Sequence, residues 1–234
     1  FPGLPEDRYM TQYVITGMGH LHHLGIADVK DDRESWLLVT KAVAFLDALI
    51  KEDYDRLLRR EKNGKIDLSK SHIGVIHYQY LYMRSFFMNE LAMDKSVQKA
   101  FDYYLSQAAK YWTKSALSTQ AMACLALHRY GKGTVTAEMM KSFDERAVNS
   151  EEFGKYWKNP GGYYWYQAPI ETQALMIEVY LEVAGDQKSV EDLKVWLLKQ
   201  KQTQDWKTTR ATADACYALL LQGTDILATD ASVD

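Results

Sequence analysis

The chain has 234 residues, of which 47% are hydrophobic and 25% charged, and its formal net charge is −3. Such a chain is long enough for one sizeable core, and no uncharged run approaches the roughly 18 residues that a membrane span requires. A slightly acidic balance with dispersed lysines gives no general positive field, so neither nucleic-acid binding nor membrane insertion by this segment is expected.

Helix is the expected element throughout, because there are only 4 prolines and 13 glycines and helix formers fill the long segments. From Arg8 to Leu24, the residues Met10, Tyr13, Val14, Gly17, Met18, Leu21 and Leu24 recur at three and four and predict one apolar helix face, stopped by Gly25. A longer stripe over Arg33 to Arg60, through Trp36, Val39, Val43, Leu46, Ile50, Tyr54 and Leu57, has lysines and acids opposite and predicts a half-wet outer helix. After a polar loop from Glu61 to Ser71, Ile73–Asn89 is too rich in aromatics and methionine for a surface helix. Asp94 reads as an N-cap for the next helix, which turns near Trp112–Lys114.

The alternation continues. Residues 116–130 are apolar on nearly every face, whereas Thr136–Arg146 is short and charged on one side. A wet, aromatic loop is expected over about 150–168, then an apolar helix over Ile170–Ala184, an amphipathic one over Val190–Lys199 and an apolar one over Thr209–Leu221. Thr11-Gln12, Thr119-Gln120 and Thr172-Gln173 each open an apolar helix that ends at Gly25, Gly131 and Gly185, and Thr212-Ala213-Asp214 up to Gly223 is a looser copy. Each repeat is then a two-helix hairpin that cannot bury its inner helix alone. The pattern predicts an all-α chain, an α/α toroid of alternating inner and outer helices with its N-terminal helices missing, over residues 1–225, followed by a tail or linker over 226–234. The Thr-Gln pairs are expected to hydrogen-bond within the ring and hold the inner helices in register.

Cys124 and Cys216 both fall in apolar helical stretches and read as small buried hydrophobes. His20, His22 and His23 lack a nearby carboxylate or cysteine at ligand spacing, so no metal site is expected, and His22 and His23 should face solvent. Glu171, Glu178 and Glu182 invite comparison with the paired acids of glycosidases, but a solvated or repeat-edge face is the expected reading. The unusual stretch is aromatic: Trp157, Tyr163, Tyr164, Trp165 and Tyr166 form a candidate protein-contact surface, or plug the toroid end against a neighbouring domain. No catalytic residue and no cofactor is expected.

Four segments, FPGLPEDRYMTQYVITGMGHLHHLG, ALSTQAMACLALHRYGKG, APIETQALMIEVYLEVAG and WLLKQKQTQDWKTTRATADACYALL, resemble the thioester-containing domain of the α2-macroglobulin and complement family, especially its bacterial members. The resemblance covers about residues 1–223. It implies a terpenoid-cyclase-type α/α toroid within a larger multidomain endopeptidase inhibitor of the periplasm, cell envelope or secreted space. Its partners would be neighbouring domains of the same chain, and proteases via the full-length protein. The family's Cys-x-x-Gln thioester motif is absent, since Leu127 follows Cys124 at three and Leu219 follows Cys216. Either the chain begins after that motif or the protein belongs to members that lack it. The histidine that assists acyl transfer in complement-type members has no counterpart over 52–71, and its role is carried onto neither His72 nor His77. The rivals are an α/α-barrel enzyme, of glycoside hydrolase or terpenoid cyclase type, and a scaffold without inhibitory activity.

Overall fold

Several helices begin where a short polar side chain can accept from the otherwise unpaired amides of a first turn. Asp7 accepts from Met10 N at 2.7 Å, Asp32 from Ser35 N at 2.9 Å, Asp94 from Val97 N at 3.0 Å and Thr208 from Ala211 N at 3.0 Å. The computed structural model describes residues 7–25, 29–158, 168–203, 206 and 208–221. Among them the architecture is mostly helical, with nine α-helices and a single two-stranded ribbon. The chain divides into two compact units, Phe1–Ser115 and Ala116–Asp234.

The first unit contains α1 (Arg8–His23), α2 (Arg33–Lys62), α3 (Val75–Ser85) and α4 (Lys95–Tyr111), the last closed by a 3-10 turn at Trp112–Lys114. From Tyr78 to Ser85, α3 is buried at every position but Gln79, as its aromatic content demands. By contrast, α2 buries one stripe, Val39, Val43, Leu46 and Ile50, together with Asp47. Asp94 at the start of α4 feels the charge of Lys51, and Tyr103 further along feels Glu61 and lies 4.9 Å from Tyr54. These two amphipathic helices therefore run parallel, and their C-termini reach the same end of the unit.

The apolar stripe expected on α1 points the other way. Met10, Val14 and Leu21 are 52%, 48% and 42% exposed, while Gln12, Ile15 and Gly19 are buried. Two contacts choose this face: Gln12 donates to Ile76 O at 3.1 Å, and Gly19 lies so close to α3 that a Cβ there would meet Phe86 at 2.7 Å. Counting apolar residues favours the wrong side of a helix whose polar glutamine and small glycine make the intimate contacts.

The second unit contains α5 (Leu117–Arg129), α6 (Gly133–Arg146), β1 (Val148–Ser150), β2 (Gly154–Tyr156), α7 (Pro169–Val179), α8 (Gln187–Thr203) and α9 (Thr209–Leu220). The end of α7 widens into a π-helical turn over Tyr180–Ala184. All residues from Thr119 to Leu127 are buried in α5, whereas α6 buries Thr136, Met139 and Phe143. The pattern recurs downstream. α7 lies against both α5 and α9 and is buried almost throughout, while α8 buries Val190, Leu193 and Leu197 on one side. At about 2 kcal/mol for each bulky apolar side chain removed from water, α5 and α7 cannot persist without that cover.

The antiparallel ribbon corrects the expected loop over 150–168: Val148 pairs with Tyr156 and Ser150 with Gly154. Gly154 has φ +71°, and a Cβ there would come within 2.0 Å of Asp192 O, so the ribbon reaches α8 only because this residue has no side chain.

Candidate functional site

The Thr-Gln repeat proves to be a hydrogen-bonding device. Thr11, Thr172 and Thr212 each donate a hydroxyl to the carbonyl four residues back, of Asp7, Ala168 and Thr208, the N-cap residues of α1, α7 and α9. The following glutamines Gln12, Gln120 and Gln173 are 1%, 3% and 3% exposed. Gln120 accepts from Arg146 on α6 at 2.7 Å, and Gln173 donates to Lys155 O at 2.8 Å and Leu193 O at 3.1 Å. Gln12 thus reaches another apolar helix, α3, while these bonds of Gln120 and Gln173 tie an apolar helix to α6, to the ribbon and to α8. Each of these helices also ends at a left-handed glycine, Gly25, Gly131 and Gly185, with φ of 67°, 74° and 62°.

The acids of α7 are not solvated. Glu178 is fully buried and Glu171 is 8% exposed. Arg129, at the end of α5, donates to Glu178 Oε1 at 2.6 Å and to Glu182 Oε2 at 3.0 Å, and the Tyr217 hydroxyl of α9 donates to Glu178 at 2.9 Å. Burial lifts the Tyr217 hydroxyl well above the usual tyrosine range, which keeps it a donor. On α9, Asp214 faces Arg210 at 3.5 Å and also feels Glu171 and Glu178. Burial, reinforced by those carboxylates and opposed by Arg210, raises Asp214 to about 6. This seam of α5, α7 and α9 therefore holds more carboxylate than guanidinium. A carboxylate clasped by an arginine and a tyrosine and closed to solvent is a clamp, poorly placed to serve as a catalytic acid or nucleophile.

A second knot fixes the ribbon. Lys155, 6% exposed, donates to Asp144 at 2.7 Å and to Ser189 at 3.0 Å, and its ammonium lies 4.1 Å from the Tyr180 ring centroid. Tyr180 in turn donates to Asp144 at 2.6 Å. Trp157 follows directly: it is 8% exposed, its indole donates to Phe143 O at 3.0 Å, and its ring lies 6.1 Å from Tyr180. That position belongs to the core of the second unit. The remaining aromatic candidates, Tyr163, Tyr164, Trp165 and Tyr166, lie outside the described residues.

In the first unit, Arg84 is fully buried and donates to Asp47 at 3.2 Å, to Phe87 O at 2.9 Å and to Leu91 O, while the Tyr80 hydroxyl donates to Asp47 at 2.6 Å. Burial nevertheless leaves the Asp47 carboxyl raised, against the pull of Arg84 and Tyr80. Asp53 shows the opposite balance. Burial pushes it up, but hydrogen bonds from His77 and Arg8 and their charges outweigh that and hold it at about 2. His77 accepts from Gly74 N at Nδ1, sets Nε2 3.3 Å from Asp53 and stacks on Tyr104 at 4.2 Å.

His20 lies 3.0 Å from the Tyr82 hydroxyl, His22 lies 3.5 Å from Glu90 and stacks on Phe87, and His23 meets the Phe86 ring edge-on at 5.9 Å. His22 is half-buried rather than solvated. Among the described residues no group of three or more His, Cys, Asp or Glu is arranged to hold a metal ion. Cys124 is buried, which raises its thiol to about 12, whereas Cys216 is exposed, contrary to the reading of both as buried. Sequence reasoning did not single out Arg84, Arg129, Lys155 or Asp214. The available signal was one of type, since each is a charge set within an otherwise apolar or aromatic stretch. No family model matches the sequence, and neither curated proteins nor solved structures give a match.

Proposed function

We propose that the chain is a thioester-type α/α toroid domain of a bacterial α2-macroglobulin-like protein, acting without catalysis of its own as a packing and restraining piece in protease entrapment. The observation that carries this reading is the repeated unit: a Thr-Gln start with a buried glutamine, a helix ended by a left-handed glycine and then an amphipathic helix, recurring in order along the chain. Repeats of that kind bury their inner helices by stacking side by side, and closure into a ring covers the most apolar surface. The clasped state of Glu178 and Glu182 weighs against the glycosidase-type rival, because neither carboxylate is left free for a sugar.

In this role the domain docks against its neighbours and shifts with them after a protease cuts elsewhere in the polypeptide. The test uses the intact protein from the encoding gene. An entrapped protease should keep its activity on a small peptide and lose it on a protein substrate. Unchanged cleavage of protein substrates, or a gene that starts with methionine just before Phe1, would overturn the reading. Methylamine then separates the two kinds of member, since release of one thiol marks a thioester upstream and no release marks purely mechanical restraint.

A further inference from the structure

The parallel course of α2 and α4 gathers cations that the sequence disperses. At their shared end stand Arg59, Arg60 and Lys62 from the last turns of α2, and Lys65 and Lys70 from the following loop. Lys110 and Lys114 join them from the end of α4 and its 3-10 turn, and all seven are exposed. Hydrogen bonds fix the loop over α4: Lys110 donates to Ser69 O at 3.2 Å, Tyr111 donates to the same carbonyl, and His72 N donates to Gln107 at 2.9 Å.

Among the described residues, none of these cations lies within ion-pair distance of a carboxylate, whereas Lys51, Arg56, Lys141 and Lys188 elsewhere are each paired within one helical turn. Local acids are few, Glu61 and Asp67; Asp67 accepts from Ser69 N at 2.9 Å and also feels the charge of Lys70. Two helix C-termini account for part of the positive charge, since each macrodipole end carries about half a negative charge. The surplus remains large on a chain of net charge −3.

We propose that this end of the first unit is a contact surface for anionic lipid headgroups. Five of the seven cations are lysines, point charges on flexible stems that suit a diffuse and mobile anionic plane. Bases of a nucleic acid would need free aromatic faces to stack on, and the candidate ring is covered, because Lys110 and Lys114 lie 5.2 and 5.3 Å from the Tyr111 centroid. Contact is electrostatic and peripheral: no helix of the described residues is long and apolar enough to cross a membrane.

The experiment is vesicle flotation of the chain at low salt. Vesicles with about 30 mol% phosphatidylglycerol in phosphatidylcholine should carry the protein, pure phosphatidylcholine should not, and salt of about 0.5 M should release it. Lys65→Glu/Lys70→Glu, both outside helices, should weaken binding at least about tenfold, whereas Lys95→Glu/Lys99→Glu at the far end of α4 changes net charge equally and should cost less than about twofold. Circular dichroism establishes that both variants are folded. Failure to float with the anionic vesicles, equal weakening by both reversals, or tighter binding to a DNA duplex than to vesicles would each overturn the assignment.

Discussion

Both units are organised around an arginine, fully buried in the first and half-buried in the second, that holds a carboxylate shared with a tyrosine, yet the two knots differ in balance. In the first, Arg84, Asp47 and Tyr80 match one cation to one anion, and the spare donors of the guanidinium go to the carbonyls of Phe87 and Leu91. In the second, Arg129 answers both Glu178 and Glu182, while Asp214 stands nearby with Arg210 set against Glu171 and Glu178. The contrast teaches that a buried charge network can serve one unit as a closed lock and the other as a seam under repulsion.

The largest expected effect breaks the closed lock. Arg84→Met leaves Asp47 buried without its cation and removes the guanidinium donors to the Phe87 and Leu91 carbonyls, at a cost of about 4 kcal/mol, read as the loss of the first unit's transition in a urea melt. Arg129→Met should cost about 3 kcal/mol, less because Glu182 is partly exposed and can remain hydrated.

The third change should stabilise. Asp214 titrates in the folded state at about 6, above the ordinary aspartate value of roughly 3.9, so the folded state binds the extra proton between those two pH values. Stability of the second unit therefore rises as pH falls from 7 towards 4. Asp214→Asn should add about 2 kcal/mol at pH 7.5, flatten that rise, and leave stability at pH 4 unchanged. The first unit carries both signs: Asp53, held at about 2, contributes stability above its unfolded value that is lost as pH falls from 4 towards 2, whereas Asp47, raised by burial, acts in the same sense as Asp214. Unit-resolved melts by NMR from pH 7 to 4 would show the second unit's rise in the native protein and its loss in Asp214→Asn; an unchanged rise in the variant would remove Asp214 from the account.

The smallest effect concerns the glutamines. Gln173→Leu removes a donor to the Lys155 and Leu193 carbonyls, and Gln12→Leu a donor to that of Ile76; about 1 to 2 kcal/mol is expected for the first and about 1 for the second, measured as shifts in urea midpoint.

Elements and their order were legible because periodicity and capping act locally: Asp94 caps α4, Gly131 ends α5, and the alternation of buried with half-wet helices appears in composition. Which face of α1 turns inward was not, since Gly19 and Gln12 gain their meaning only from Phe86 and Ile76, over 60 residues away. The ribbon escaped for a similar reason, as its strands have only three residues each and its anchor is Lys155 against Asp144 and Ser189. Glu178 looked like a surface residue because an isolated acid on an apolar helix carries no mark of the arginine that will meet it.

The claim on which the rest depends is that apolar helices are sheathed by amphipathic ones. Native-state hydrogen exchange measures it directly. Amides of α5 and α7 should exchange only through global unfolding of the second unit, with those of α6 and α8 opening at clearly lower free energy. Protection of α6 and α8 equal to or greater than that of α5 and α7 would contradict the account.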